Sequence, residues 1–159
     1  MMAINDVERV ATRIRRVDRS DRDELLRLRT AFWPDHPIET HASEMAEYAP
    51  DNETLTAFVA VRPEGGLAGF LEASIRPFAD GCDTRPVGYI EGWYVDPDAR
   101  LQGIGRQLVQ AAEVWAAQRG CKEMASDCLV DNQASQQAHL RLGYVETERL
   151  IHFRRLLVP

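Results

Sequence analysis

The sequence predicts one α/β domain of the α+β kind, with a mixed, mostly antiparallel central sheet and helices on its faces. Length is the first reason: 159 residues suit a single core, so one domain is expected over residues 1–159, with 1–10 fraying before the first strand. The second is the order of strand-like and helix-like segments, βααβββαβαβ, in which three strands follow one another without a crossover helix and a wholly parallel sheet is excluded. The third is an apolar strand, Tyr89 to Val95, that feeds through a glycine-bearing loop into a long helical pattern.

Thr12 to Val17 alternates in polarity as a strand does. Ser20 reads as an N-cap, with Asp23 and Glu24 in the first turn of a helix carried by Leu25, Leu26, Leu28 and Phe32 and ended by Pro34 and Pro37. A short helix is expected around His41 to Tyr48. Leu55 to Val61 and Leu67 to Ile75 flank the turn Pro63-Glu64-Gly65-Gly66 and form a hairpin. Ala79 to Pro86 is a polar loop, followed by the Tyr89 to Val95 strand, which Pro97 and Asp98 break. Ile104, Leu108, Ala111, Ala112 and Trp115 then recur at helical spacing up to Gly120, the expected C′ residue. Glu123 to Cys128 makes a strand, Asn132 to Leu142 a helix, and Tyr144 to Leu157 one or two closing strands whose Leu150, Ile151, Phe153, Leu156 and Leu157 are expected to be covered.

Composition narrows the class of function. A hydrophobic content of 45% and a charged content of 28% are ordinary for a soluble globule. No run approaches the roughly 18 apolar residues of a membrane span, and Met1 to Val10 has no apolar signal core, so a cytoplasmic protein without a membrane partner is expected. Cys82, Cys121 and Cys128 are odd in number, lack Cys-x-x-Cys spacing and have no paired histidines, which indicates reduced thiols rather than a disulfide framework or a metal site. The net charge of −6 argues against nucleic acid as a partner and leans toward a cationic small substrate, although solubility alone also explains acidity.

The loop Arg100-Leu101-Gln102-Gly103-Ile104-Gly105 is the chemically informative stretch. A helix start leaves its first N–H groups without intrahelical partners and carries partial positive charge, so it attracts anions. Gly103 and Gly105 lack a Cβ that would hold a pyrophosphate away, and Arg100 adds a full charge. Two glycines alone are most often only a turn. The third glycine of a dinucleotide fingerprint and the GK[ST] of a nucleoside-triphosphate loop are both missing.

The stretch resembles the Arg/Gln-x-x-Gly-x-Gly/Ala loop of the GNAT superfamily of N-acetyltransferases, and Asn132, Ser135 and Leu142-Gly143-Tyr144 resemble that superfamily's Asn-x-x-Ala/Ser helix with its Gly-Phe/Tyr ending. The resemblance implies a GNAT fold whose strands Tyr89 to Val95 and Glu123 to Cys128 are parallel and splay apart. It also implies acetyl-CoA as co-substrate and no metal. Its pyrophosphate would lie on Arg100, Leu101, Gln102, Gly103, Ile104 and Gly105, and its pantetheine arm would lie along Trp93, Tyr94 and Val95, with Asn132 on the other side.

Acetyl transfer needs a neutral amine, whereas an alkylamine is mostly protonated at neutral pH, so the site must accept a proton. Glu91, two residues before Trp93 and on its face by strand alternation, is a charge inside the apolar run Tyr-Ile-Glu-Gly-Trp; Asp127 is the matching anomaly on the next strand. Each could instead cap a loop or pair with an arginine. His139 stands seven residues after Asn132, where many GNAT enzymes place a tyrosine acid; it is a candidate acid for the departing thiolate, with a structural histidine as the alternative. Cys128 beside Asp127 raises a cysteine acyl-enzyme, but the amine is already a good nucleophile and direct transfer in a ternary complex is simpler.

Segments from Trp33 to Arg155 narrow the resemblance. Trp33-Pro34-Asp35-His36-Pro37, Ala73-Ser74-Ile75-Arg76, Glu123-Met124-Ala125-Ser126-Asp127 and Glu146-Thr147-Glu148-Arg149 are similar to the aminoglycoside 6′-N-acetyltransferases. That family implies Trp33, His36, Glu91, Asp127 and Glu148 around an aminoglycoside, a histidine at 139, an antibiotic-resistance function and a homodimer in which Arg149 to Leu157 is paired or exchanged between subunits. After Arg76 the loop is shorter than in relatives that place a substrate tyrosine there, and Phe78 is the candidate stand-in. The alternatives are acetylation of another amine (a polyamine, small metabolite or peptide N-terminus) or an acyl-CoA-binding sensor without catalysis.

Overall fold

A computed structural model of the chain describes residues 12–157; the expectation of fraying at 1–10 lies outside them. Five strands form one sheet in sequence order. These are β1 (Arg13–Arg16), β2 (Leu55–Val61), β3 (Leu67–Arg76), β4 (Val87–Val95) and β5 (Met124–Ser126). β1 to β4 pair antiparallel, and β4 pairs parallel with β5 across the crossover helix α3 (Ile104–Ala117). Helices α1 (Arg22–Phe32) and α2 (Ile38–Met45) precede β2, and α4 (Gln133–Arg141) follows β5. This is the mixed, mostly antiparallel sheet that the order of elements predicts, with its one parallel pair where the long helix intervenes.

The sheet buries both faces, which is why β2 and β3 read as near-continuous apolar runs. On one face Phe58, Ala60, Leu71, Ala73 and Ile90 pack against Ile104, Leu108, Ala112 and Trp115 of α3. On the other, Val59, Leu67 and Phe70 meet Leu25 and Leu28 of α1, with Phe32, Trp33 and Tyr94 at the border. Helix α3 closes as predicted: Gly120, at φ 83°, donates its N–H to Ala117 O, and Cys121 N–H reaches Ala116 O, a Schellman arrangement.

Three expectations change. Ser20 is not the cap of α1: the N-cap is Asp21, without a side-chain cap bond, and the 3-10 turn Arg19–Asp21 before it is capped by Asp18, which accepts from Ser20 N–H while Asp21 accepts from Asp18 N–H, a capping box. Helix α2 spans Ile38–Met45, with Pro37 as its N-cap and Ala46 as its C-cap, so it starts before His41 and ends short of Tyr48. The closing strands over Tyr144 to Leu157 are not formed: among the described residues this segment carries no helix or strand, and Leu150, Ile151, Phe153, Leu156 and Leu157 are exposed. An extended segment becomes a strand only where a partner edge accepts its backbone hydrogen bonds, and no such pairing is made within this chain's described residues.

Candidate active site

β4 controls the site through one irregularity. Gly92 faces Glu72 and Ile90 faces Ala73 across the β3–β4 ladder, so Glu91 is an extra residue, a β-bulge. Pairing with β5 stops at Ile90–Ser126, immediately before it. From Glu91 to Val95 the β4 backbone has no β5 partner, and the predicted splay begins there. The bulge also overturns the inference that Glu91 shares the face of Trp93. Trp93 and Ile90 both pack on the α3 side, whereas Glu91 turns to the α1 side, where Ser74 and Arg76 meet it.

On the α3 side, Val95 leads through Asp96 and a 3-10 turn at Pro97–Ala99 into the glycine loop. Leu101 is left-handed at φ 61° and 99% exposed, and Gly103 at φ 82° turns the chain into α3. The first return bond of the helix is Gln107 N–H to Gly103 O, so the N–H groups just before it have no intrahelical acceptor. Arg100 donates Nε–H to Val95 O at 2.9 Å and Gln102 donates to Asp98 O at 3.1 Å; both are exposed. Gly105 also has a packing reason: a Cβ there would sit 2.9 Å from the Trp93 ring, so its smallness admits the indole against the start of the helix. Asn132 caps α4 through Oδ1, which accepts from Ser135 N–H at 3.1 Å, and the residue is exposed. These donors fit the pyrophosphate and amide chemistry of a CoA molecule.

On the α1 side, Trp33 lies against Gly92, where a Cβ would collide with its ring, and His36 stacks parallel on it at 6.0 Å. The main-chain turn that carries Trp33 is anchored below by Arg29, only 1% exposed, whose guanidinium contacts Glu72, Glu44 and Tyr48 and lies 4.9 Å from the Trp33 ring. His41 bonds Trp33 O at 3.3 Å. Glu91 receives Ser74 Oγ–H and a bidentate grip from Arg76, 3.0 Å from Nε and 2.6 Å from Nη2. Arg76 in turn covers the Tyr89 ring, with Cζ 3.4 Å from its centroid, and Tyr89 donates its hydroxyl to Asp127. Burial, then the bond to Asp127, pushes the Tyr89 phenol well above its ordinary value, so it stays a donor at neutral pH. Trp33, His36, Glu91 and Asp127 are thus gathered on one face.

Other predicted residues lie apart. Phe78 is exposed on the loop after β3, with the Arg85 guanidinium 5.7 Å from its ring and no hydrogen-bonding link to Glu91. Glu148 is exposed on the C-terminal segment, whose neighbouring Thr147 abuts Gly81. His139 stands between the rings of Trp93 and Tyr144, edge-on to each at 5.5 Å. Its Nδ1–H donates to Ser135 O at 2.8 Å, which leaves Nε2 as a buried lone pair without a partner. In that tautomer it holds no proton for a thiolate; donation would require the imidazolium. Cys128 follows Asp127 and is half-buried. Arg76 and Tyr89 carried no predicted role. Their signal in the sequence is only strand alternation, which places Ser74 with Arg76 on one face of β3. No group of three or more His, Cys, Asp or Glu side chains among the described residues is arranged to hold a metal ion, and no described helix is long and apolar enough to cross a membrane.

Known proteins resemble this chain in sequence and in fold. Residues 23–144 match the model of the Acetyltransferase (GNAT) family. The aminoglycoside N(6′)-acetyltransferase type 1 of Klebsiella aerogenes is 44% identical over 91% of this chain and 96% of its own length. The corresponding protein of Salmonella typhimurium is 39% identical over 89% and 97%. Among solved structures, AAC(6′)-Iy in complex with the bisubstrate analog CoA-S-monomethyl-acetylneamine superposes with a TM-score of 0.86 at 37% identity, over 92% of this chain and 99% of that one. AAC(6′)-Ih from Acinetobacter baumannii also gives 0.86, at 36% identity over 93% and 100%. The chain therefore belongs to the GNAT acetyltransferase family and, within it, to the aminoglycoside 6′-N-acetyltransferases.

Proposed function

We infer that the protein transfers the acetyl group of acetyl-CoA to the 6′-amine of an aminoglycoside by direct attack in a ternary complex, and that this inactivates the drug for its host. The observation that carries the reading is the Glu91 bulge, which opens the β4–β5 gap and, at the same point, turns a carboxylate to the face that carries Trp33 and Tyr89, the partner of Asp127. An aminoglycoside is a rigid polycation; carboxylates beside a flat indole suit its ammonium groups and ring faces. The relatives' activity and the CoA conjugate held by AAC(6′)-Iy support the same two-substrate arrangement.

Acetyl-CoA supplies an activated acyl group. The exposed N–H groups opening α3 and Arg100 would hold its pyrophosphate, the unpaired β4 edge at Trp93, Tyr94 and Val95 its pantetheine arm, and Asn132 its opposite side. Glu91 takes the amine proton, directly or through water, while Asp127 and Tyr89 fix the amine from the β5 side. Glu148 and Phe78 would meet the outer rings of the substrate. Neither Cys128 nor a metal is needed for the transfer. The enzyme is read as a single domain that works in the cytoplasm, where acetyl-CoA is made, and as a homodimer that covers the C-terminal segment.

Neomycin and paromomycin differ only in bearing a 6′-amine or a 6′-hydroxyl, so CoA thiol release by purified protein with each tests the reading. Release with neomycin and none with paromomycin is expected. Equal release with both, or none with either while acetyl-CoA still binds, would overturn it.

A further inference from the structure

Glu91 is the carboxylate best placed to meet a substrate amine, and it already holds a cation. Arg76 grips it through Nε and Nη2 in the planar two-bond geometry that matches guanidinium to carboxylate. With Ser74 Oγ–H also on Oε1, three of the roughly four lone-pair positions of this carboxylate are taken. The guanidinium lies over the Tyr89 ring, whose hydroxyl is bonded to Asp127, so Arg76 sits between the two carboxylates of the acceptor site. Glu91 is its only hydrogen-bond partner among the described residues, and its side chain is 39% exposed. When its one side-chain hydrogen-bonding partner is claimed by another cation, an arginine at a solvent boundary can swing away, giving up only its contact with the Tyr89 ring.

We propose that Arg76 is a resident cation of the acceptor site, occupying on Glu91 the place that a substrate ammonium takes, so that cationic amines bind by competing with it. The inference rests on the aminoglycoside reading of this face. Its physical content is narrower: two cations contend for one carboxylate. While Arg76 is seated, the cluster of Glu91, Asp127 and Arg76 carries one net negative charge rather than two, and a monovalent cation gains less by entering. A polycation with ammonium groups spaced for both Glu91 and Asp127 recovers the difference. Arg76 thereby discriminates by charge number, and the site rejects simple alkylamines and inorganic cations that Glu91 alone would attract.

The test compares the full-length protein with Arg76→Ala and Arg76→Lys, using neomycin as acceptor and methylguanidinium as a probe of the vacated place. Arg76→Ala is expected to lower the neomycin KM about fivefold, the scale of a half-exposed ion pair. Millimolar methylguanidinium should raise that KM back toward the wild-type value while leaving the wild-type enzyme unaffected. Arg76→Lys should sit between the two. The acetyl-CoA KM and the melting temperature report whether the variants are folded. A neomycin KM that rises or stays unchanged in Arg76→Ala overturns the proposal, as does methylguanidinium acting equally on both proteins. Calorimetry separates this failure from failure of the functional reading: if neither protein acetylates neomycin but Arg76→Ala alone binds methylguanidinium, the resident cation stands and the assigned substrate does not.

Discussion

A Cβ on Gly105 would press on the Trp93 ring at 2.9 Å, and one on Gly103, at a positive φ, would meet nothing nearer than Gln107 Nε2 at 4.0 Å, an ordinary contact. The two glycines of the loop are thus required for different reasons, and their alanine variants should fail differently. Gly105→Ala must displace the indole or the start of α3, at about 1–3 kcal/mol for an overpacked contact; Trp93→Phe in the same chain should restore part of the loss in urea unfolding, and no restoration would show that the clash is not the cause. Gly103→Ala carries only a left-handed penalty, roughly 1–2 kcal/mol, that no change at 93 relieves. Glu91→Gln keeps the shape of the site but cannot accept the amine proton. It should lower kcat with neomycin by about 10²–10⁴ at an unchanged acetyl-CoA KM; full turnover would exclude Glu91 as the base. At this scale the sequence was half legible. A carboxylate within an apolar strand announces itself, yet alternation put Glu91 on the face of Trp93, and only the register of β3 against β4 reveals the bulge that turns it away.

The link from β4 to α3 is held by charge at its root. Asp96 is nearly buried and receives Arg27 at 3.0 Å and Arg62 at 3.1 Å, while Arg62 spans on to Asp98 with two bonds of 2.9 Å. Asp96 N–H also continues the β3 ladder onto Ala68 O. These bonds fix where the strand ends and therefore where the N-terminus of α3 points. Arg62→Ala should raise the acetyl-CoA KM several-fold, on the order of 1 kcal/mol of lost positioning, and leave the neomycin KM unchanged in steady-state assays. Equal changes in both would mean that the whole sheet had moved. The central strands were readable as apolar runs because the sheet is covered on both faces, and α3 because its buried residues recur every three to four positions. The Arg27–Asp96–Arg62 cluster was not, since its members are 34 and 69 residues apart and nothing in local spacing announces the pairing.

For the whole molecule, several carboxylates that tie loops to the sheet are held below their ordinary values. Glu24 is lowered by Arg27 and then by Leu67 N–H, Asp98 by Arg62, and Glu123 by the hydroxyl and then the N–H of Thr84. A carboxyl whose folded value is depressed stabilises the fold above its unfolded value, near 4, and that contribution is lost as pH falls through the folded value. Unfolding midpoints in urea should therefore hold steady from neutrality to about pH 5 and drop below pH 4; a midpoint that rises on acidification would contradict these pairings. The open end of the molecule raises a question of assembly. β5 is three residues long and, among the described residues, its outer edge carries no strand, while the segment after Tyr144 leaves Ile151, Phe153 and Leu157 at 80%, 92% and 87% exposure. An unpaired edge and an exposed apolar segment are features that folded chains cover, and in the homodimer proposed above a second copy would supply both the missing strand and the missing apolar wall. Sedimentation equilibrium at micromolar concentration should give twice the 18.0 kDa chain mass, and replacing Ile151 and Phe153 together by lysine should return the mass to one chain. A native chain that sediments as a monomer would leave the segment to another partner and end the dimer proposal.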